Sequence, residues 1–454
     1  MSDLENQYIV LNKRIVMYLT KNNYNLSVEQ VNDEKSDYNF FGINETGKVI
    51  VEEITGMETL AEFEKRICNK LDIDYDENID WIQKYLLKLK GRNILEFKEH
   101  PEKSFIWKVI GDKQIISPMH VTVELTDSCN LSCKHCYLSA SSKNHNFFDI
   151  EKFRTLVKKL KENRVINIEL TGGEIFVNPD NYEIIKLALE KFATVGILTN
   201  GTILNEDIIS LLQQYKKKVI LNVSIDSVDP NKHDSFRGVK GAFEKSCNNI
   251  KRLAKAGLTV RMASCIFHDN MWEIDKLAAL ATELGAKVFT YNFIENFGRA
   301  KTFTDGKEKI DSEASDKYYK YIQDTIKKYK EIIPIIESEN YLSGLKNCGA
   351  GTVSIVIGAN GNIRPCVLTP KEISLGNVFN EDYKEIFEKD IFSDISSIKP
   401  PNTNNGCDKS CKDYYTCRGC YLKALNINSK REKPCDWVVS NNLNNILNWY
   451  TRTC

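Results

Sequence analysis

From Pro118 onward the chain repeats one unit six times, a short apolar strand followed by an amphipathic helical stretch, and this repetition restricts the fold more than any other feature. Residues 120–125 alternate apolar and polar side chains as a strand does, and Ile150, Phe153, Leu156, Val157 and Leu160 then recur at helical spacing. Further strands are predicted near 166–170, 194–198, 219–225, 258–267 and 287–291, each followed by a helical stretch, the last at 312–328. Consecutive βα units give parallel strands joined by right-handed crossovers. Six of them predict an α/β fold, a partial (β/α)6 barrel two units short of closure, with a side open to a large substrate.

In barrels of this kind chemistry collects at the C-terminal ends of the strands. The first predicted strand runs into Cys129-Asn-Leu-Ser-Cys133-Lys-His-Cys136. The second ends in Thr171-Gly172-Gly173-Glu174, the third in Thr199-Asn200-Gly201, the fourth in Ser224-Ile-Asp226 and the sixth at Asn292. Taken singly, a Gly-Gly reads as a turn and an Asp before a helix as a cap. At successive strand ends they read as one site.

Ten of the fourteen cysteines fall into two groups, Cys129, Cys133 and Cys136, then Cys348, Cys366, Cys407, Cys411, Cys417, Cys420 and Cys435. A structural zinc site closes with four ligands, and bacterial ferredoxins space theirs C-x2-C-x2-C-x3-C, so C-x3-C-x2-C fits neither. Three thiolates on a cubane iron–sulfur cluster leave one iron open. In the second group a zinc ribbon on Cys407, Cys411, Cys417 and Cys420 competes with iron–sulfur ligation, although its gaps are wide for zinc and it leaves three thiolates over. Cys68 and Cys265 read as small core residues, Cys247 lies on a helix and Cys454 is terminal.

The chain has 454 residues, enough for about three domains, and balances 62 basic against 62 acidic side chains. That neutrality offers nucleic acid no electrostatic footprint. No stretch reaches the ~18 apolar residues that span a bilayer, and the first residues lack the charged and apolar regions of a signal peptide. A cytoplasmic location with no membrane contact is therefore expected, where clustered cysteines signify metal or catalysis rather than disulfides.

Residues 1–105 differ in character. Residues 38–41 and 49–53 read as strands around an Asn44–Gly47 turn, 60–71 and 79–89 as helices, and 91–97 as a returning strand, with 103–113 as a linker. This stretch resembles the small winged-helix module related to PqqD, which implies leader-peptide recognition by strand addition at a sheet edge. A DNA-binding winged helix is the alternative, disfavoured by the neutral charge.

The first cysteine motif, with Tyr137 and Leu138 after it, closely resembles the signature of radical S-adenosylmethionine (SAM) enzymes, and the second group resembles the SPASM domain. There the usual Cys-x2-Cys-x5-Cys-x3-Cys has become x3, x5, x2. His135–Leu138, 169–177, 233–238, 270–274 and 374–377 are also similar to the sactionine synthases within that superfamily. The resemblance implies three [4Fe–4S] clusters, one on Cys129, Cys133 and Cys136 that binds SAM and cleaves it to a deoxyadenosyl radical, and two auxiliary. It implies Cys407, Cys411, Cys417 and Cys435 on one auxiliary cluster and Cys348, Cys366 and Cys420 on the other, which keeps an open iron. For SAM it implies Tyr137, Leu138, Gly172, Gly173, Glu174, Asn200, Ser224, Asp226, Arg237 and Asn292. It further implies a ribosomal precursor peptide with a leader, a flavodoxin- or ferredoxin-type reductant, and domains at 1–105, 118–330 and 345–454. The implied reaction joins a cysteine sulfur of that peptide to a Cα. Ranthipeptide synthases, which bond Cβ or Cγ, are a close alternative, sulfatase-maturating enzymes and a non-catalytic cluster scaffold more distant ones.

Overall fold

The computed structural model describes residues 4–20, 23–28, 41–111, 117–294, 298–303, 312–337, 348–408, 410–411, 413–417 and 419–453. It divides into two compact units, Met1–Ser117 and Pro118–Cys454.

Among its described residues the first unit contains six strands, β1 (Tyr8–Leu11), β2 (Ile15–Thr20), β3 (Asn23–Val28), β4 (Phe41–Ile43), β5 (Leu95–Lys98) and β6 (Lys108–Gly111). β1 pairs antiparallel with β5, while the others form a sheet in the order β4-β3-β2-β6. Helices Glu45–Glu52, Leu60–Leu71 and Tyr75–Gly91 bury Ile50, Phe63, Ile67, Leu86 and Leu89 in a core shared with Ile9, Ile15, Met17 and Leu26. The second helix starts on a capping box, Thr59 accepting from the Glu62 N–H while Glu62 accepts from that of Thr59. Two expectations change. Residues 49–53, read as a strand from their β-branched run, belong to the first helix or its C-cap, because Asn44 caps its start at 2.8 Å and Ile50 and Val51 gain full burial there. Residues 108–111, expected within a linker, pair parallel with β2. Of the expected strand at 38–41, residues 38–40 lie outside the described residues.

The second unit is built on one sheet, ten-stranded among the described residues. Its first six strands are β7 (His120–Glu124), β8 (Asn167–Thr171), β9 (Thr194–Thr199), β10 (Val219–Ser224), β11 (Thr259–Ile266) and β12 (Val288–Phe293), parallel neighbours in chain order. The crossover helices form as the periodicity predicts. In Ile150–Glu162, Asp149 caps the Lys152 N–H at 2.8 Å, and Phe153, Leu156, Val157 and Leu160 face the core. Along β10, Val219, Leu221 and Val223 are buried, whereas Asn222 and Ser224 on the opposite face reach the cavity described below. The inward face is therefore polar and small, and the space it encloses is not filled by side chains as a closed barrel's is.

Both edges of the six-stranded array are extended. β13 (Ile335–Glu337) pairs parallel with β12, and β14 (Ser354–Ile357) pairs parallel with β7 before β15 (Asn362–Arg364) and β16 (Gly376–Asn377) continue antiparallel. At this junction Glu124, the last residue of β7, forms an ion pair with Arg364, their side chains 6% and 3% exposed. Tyr137 donates to Glu124 at 3.0 Å, and Arg364 donates to the Thr369 carbonyl at 2.9 Å.

Stranding one charge in a dry interior is far costlier than removing both. Arg364→Leu or Glu124→Leu alone should each lower stability by about 3–5 kcal/mol, and the double variant should cost less than either. Urea midpoints measure this, and a double variant as damaged as the sum of the singles would exclude the coupling.

Candidate functional site

The loop that follows β7 is pinned from three directions. Ser132 N–H donates to the Arg237 carbonyl at 3.1 Å and Lys134 N–H to the Phe236 carbonyl at 2.9 Å, which fixes the loop to helix Pro230–Arg237. Arg299 donates to the Cys133 carbonyl at 2.8 Å and to the Ala140 carbonyl at 2.7 Å. From the turn after β8, Gly173 N–H reaches the Thr126 carbonyl at 2.7 Å and Glu174 N–H the Ser128 carbonyl at 2.9 Å. A Cβ on Gly172 would stand 2.4 Å from the Thr126 oxygen, and one on Gly173 2.0 Å from that of Ser128. Both glycines are thus required by backbone packing against the cysteine loop.

Cys129, Cys133 and Cys136 share the wall of a cavity of about 310 Å³ at the C-terminal ends of the strands. Tyr137, Gly172, Gly173, Asn200, Ser224, Arg237 and Asn292 line it too. Three other expected residues do not. Leu138 packs with Cys136 against the small cluster around Leu131 and Ala140. Glu174 is fully buried and accepts from Thr199 Oγ1 and Asn200 N–H at 2.8 Å each and from Phe176 N–H at 3.2 Å, clamping the end of β8 to that of β9. Its burial pushes the carboxyl up to about 7 in spite of those donors. Asp226, expected on the wall, lies behind it. It accepts from Arg237 Nε at 2.6 Å and from Cys265 N–H at 2.9 Å, and thereby aims the guanidinium.

Further wall residues were not among the site candidates named from the sequence. Arg299 follows the sixth strand without a recognisable signature, and Val367 and Leu368 come directly after Cys366. His135 lies within the cysteine motif, stacked on Phe236 with ring centroids 4.4 Å apart. Cys265, expected in the core, is on the wall as well, and the alternating burial of β11 explains it, since Ser264 and Ile266 are buried on the other face.

The donor set fits a cubane. Burial pushes the Cys129 thiol up to about 12, and that of Cys133 upward too against the pull of Arg237. Thiols so placed ionise readily only beside a strong cation, which coordination to iron supplies. Asn200 Nδ2 and Arg237 Nη1 approach the Cys129 and Cys133 sulfurs at 3.9 and 3.8 Å.

Cys407, Cys411, Cys417 and Cys435 line one cavity of about 50 Å³. Cys420 is buried, which pushes its thiol up, and Cys366 and Cys348 are the thiols that push it further. Gly173→Ala should push the β8 turn off Ser128 and strip the first group of roughly four irons per chain while the second keeps its own. Iron analysis and EPR of the reduced protein check this, and a full complement with an unchanged spectrum would contradict it.

Comparison with known proteins agrees with this geometry. Residues 123–281 match the radical SAM superfamily, and residues 348–421 match SPASM, an iron–sulfur cluster-binding domain. The antilisterial bacteriocin subtilosin biosynthesis protein AlbA of Bacillus subtilis is 35% identical over 98% of this chain and 99% of its own length. The sporulation killing factor maturation protein SkfB of the same organism is 29% identical over 61% of this chain and 67% of its own. Among solved structures, Streptococcus suis SuiB bound to S-adenosylmethionine shares the fold, with a TM-score of 0.60 at 17% identity over 94% of this chain and 97% of that one. This chain belongs to the radical SAM superfamily, in the SPASM-bearing family of the subtilosin biosynthesis protein.

Proposed function

We propose that this protein joins a cysteine sulfur of a ribosomally made precursor peptide to the Cα of another of its residues, as a sactionine synthase. The observation that carries the reading is the match to the subtilosin biosynthesis protein along almost the whole of both chains, the first unit included. Cys129, Cys133 and Cys136 would hold a [4Fe–4S] cluster with SAM on its open iron. With SAM bound, that cluster supplies a radical able to take a hydrogen atom from an unactivated carbon.

The chain's own residues bind and orient. Arg237, held by Asp226, presents a fixed guanidinium suited to a carboxylate. Asn200, Ser224 and Asn292 offer polar groups to the remainder of SAM, while Glu174 and the two glycines keep the strand ends in register with the cysteine loop. Val367 and Leu368 add apolar wall, which excludes water from a reactive carbon centre. Cys407, Cys411, Cys417 and Cys435 would hold one auxiliary cluster and Cys348, Cys366 and Cys420 the other. Residues 1–105 would dock the leader and so raise the local concentration of the core peptide. With 118–330 as the radical domain and 345–454 as the SPASM domain, an external one-electron reductant of flavodoxin or ferredoxin type would serve the enzyme. No helix among the described residues is long and apolar enough to cross a membrane, which is compatible with work in the cytoplasm.

The test uses the reconstituted full chain, SAM, a reductant and a short precursor peptide sought among the reading frames beside its gene. Tandem mass spectrometry should find the peptide lighter by two hydrogens for each bond formed, with sulfur on Cα. A bond at Cβ or Cγ would make it a ranthipeptide synthase, and an unmodified peptide alongside steady SAM cleavage would overturn the assignment.

A further inference from the structure

Closing one bond between a cysteine sulfur and a Cα removes two hydrogens from the peptide. The Hα leaves as a hydrogen atom, the thiol hydrogen leaves as a proton, and one electron is left for an acceptor. An iron–sulfur centre in the same chain is an acceptor of the right class, provided its potential is high enough to take the electron.

In the four-cysteine set, the sulfurs of Cys411 and Cys435 receive side-chain hydrogen bonds among the described residues. Arg431 Nη2 donates to Cys411 Sγ at 3.6 Å while the same guanidinium is anchored by the Asp413 carboxylate. Asn428, the last residue of helix Tyr421–Asn428 and 3% exposed, donates from Nδ2 to Cys435 Sγ at 3.3 Å and accepts the Cys435 N–H on Oδ1 at 2.8 Å. This reciprocal pair fixes the amide's orientation, so its donor edge faces the sulfur. A hydrogen bond or a positive charge at a cluster sulfur favours the reduced, more negative state and raises the potential. With the Arg431 side chain 22% exposed and Asp413 16%, the field acts through protein more than through water.

We propose that Arg431 and Asn428 set the reduction potential of the cluster held by Cys407, Cys411, Cys417 and Cys435, keeping it high enough to receive the electron that thioether closure releases. Both are positioning residues, acting through Cys411 and Cys435. The inference rests on those four cysteines being one ligand set and on thioether formation being the reaction.

Asn428 also donates to the Ala424 carbonyl at 2.7 Å, so its replacement would disturb the helix end, and Arg431 is the cleaner probe. Redox titration of the full-length, cluster-loaded protein, followed by EPR, should find that Arg431→Gln keeps its iron and moves one auxiliary midpoint negative by roughly 59 mV, a tenfold change in the ratio of reduced to oxidised cluster. Because that variant also leaves Asp413 uncompensated, the double variant Asp413→Asn with Arg431→Gln separates field from donor. Its midpoint should stay below that of the unaltered protein. Midpoints unmoved in Arg431→Gln, or fully restored in the double variant, would overturn the proposal. Cys411→Ser should alter the same signal. If it left iron content and every signal intact, the ligand assignment itself would fall, whatever the midpoints did.

Discussion

The buried ion pair between Glu124 and Arg364 is the constraint on which the arrangement of the second unit depends. Glu124 ends the strand that delivers the first cysteine group, and Arg364 stands two residues before Cys366. A charge pair with exposures of a few per cent tolerates little displacement, because every ångström of separation leaves two ions without water or partner. Tyr137, next to Cys136, adds its hydroxyl to the same carboxylate. The ion pair thus fixes where Arg364 and the second cysteine group stand beside the radical site, within the register that the pairing of β7 with β14 supplies.

From that register follows the composition of the cavity. Its floor comes from the strand ends and the cysteine loop, and part of its wall from Val367 and Leu368, carried on the segment that Arg364 fixes. Polar residues with fixed orientation, Arg237 through Asp226 and the β8 turn through Glu174, lie between the two. Each is oriented by a group behind the wall, so the surface offered to a ligand is set before the ligand arrives.

Sequence reasoning reached the six parallel strands because their signal is local. Apolar alternation and helical periodicity repeat within a dozen residues. Residues 49–53 were misread because a β-branched run resembles a strand, while the Asn44 cap and the burial of Ile50 and Val51 make it helical. Strands β1 and β2 lie outside the stretches read as elements and take partners far along the chain, β5 and β6, while β3 folds back on β2 as a hairpin that closes at Thr20 and Asn23. At the site, strand-end motifs named most of the wall. They could not reveal that Glu174 and Asp226 stand behind it, since facing the cavity or backing it is a matter of side-chain depth that residue type does not encode. Arg299 escaped for a related reason, as it acts on carbonyl groups of a loop more than 150 residues away.

The pairing of β14 with β7 also has a consequence for biosynthesis. β14 leaves the ribosome roughly 230 residues after β7, which at about 5–20 residues per second is on the order of ten to fifty seconds. During that interval β8 is available to one side of β7, but the other side is an unpaired edge, a template for association with neighbouring chains. A nascent chain thus carries an adhesive strand beside Cys129, Cys133 and Cys136 until residues 354–357 arrive. Any truncation before residue 354 would make that transient hazard permanent, which ties solubility of the whole enzyme to completion of its C-terminal segment.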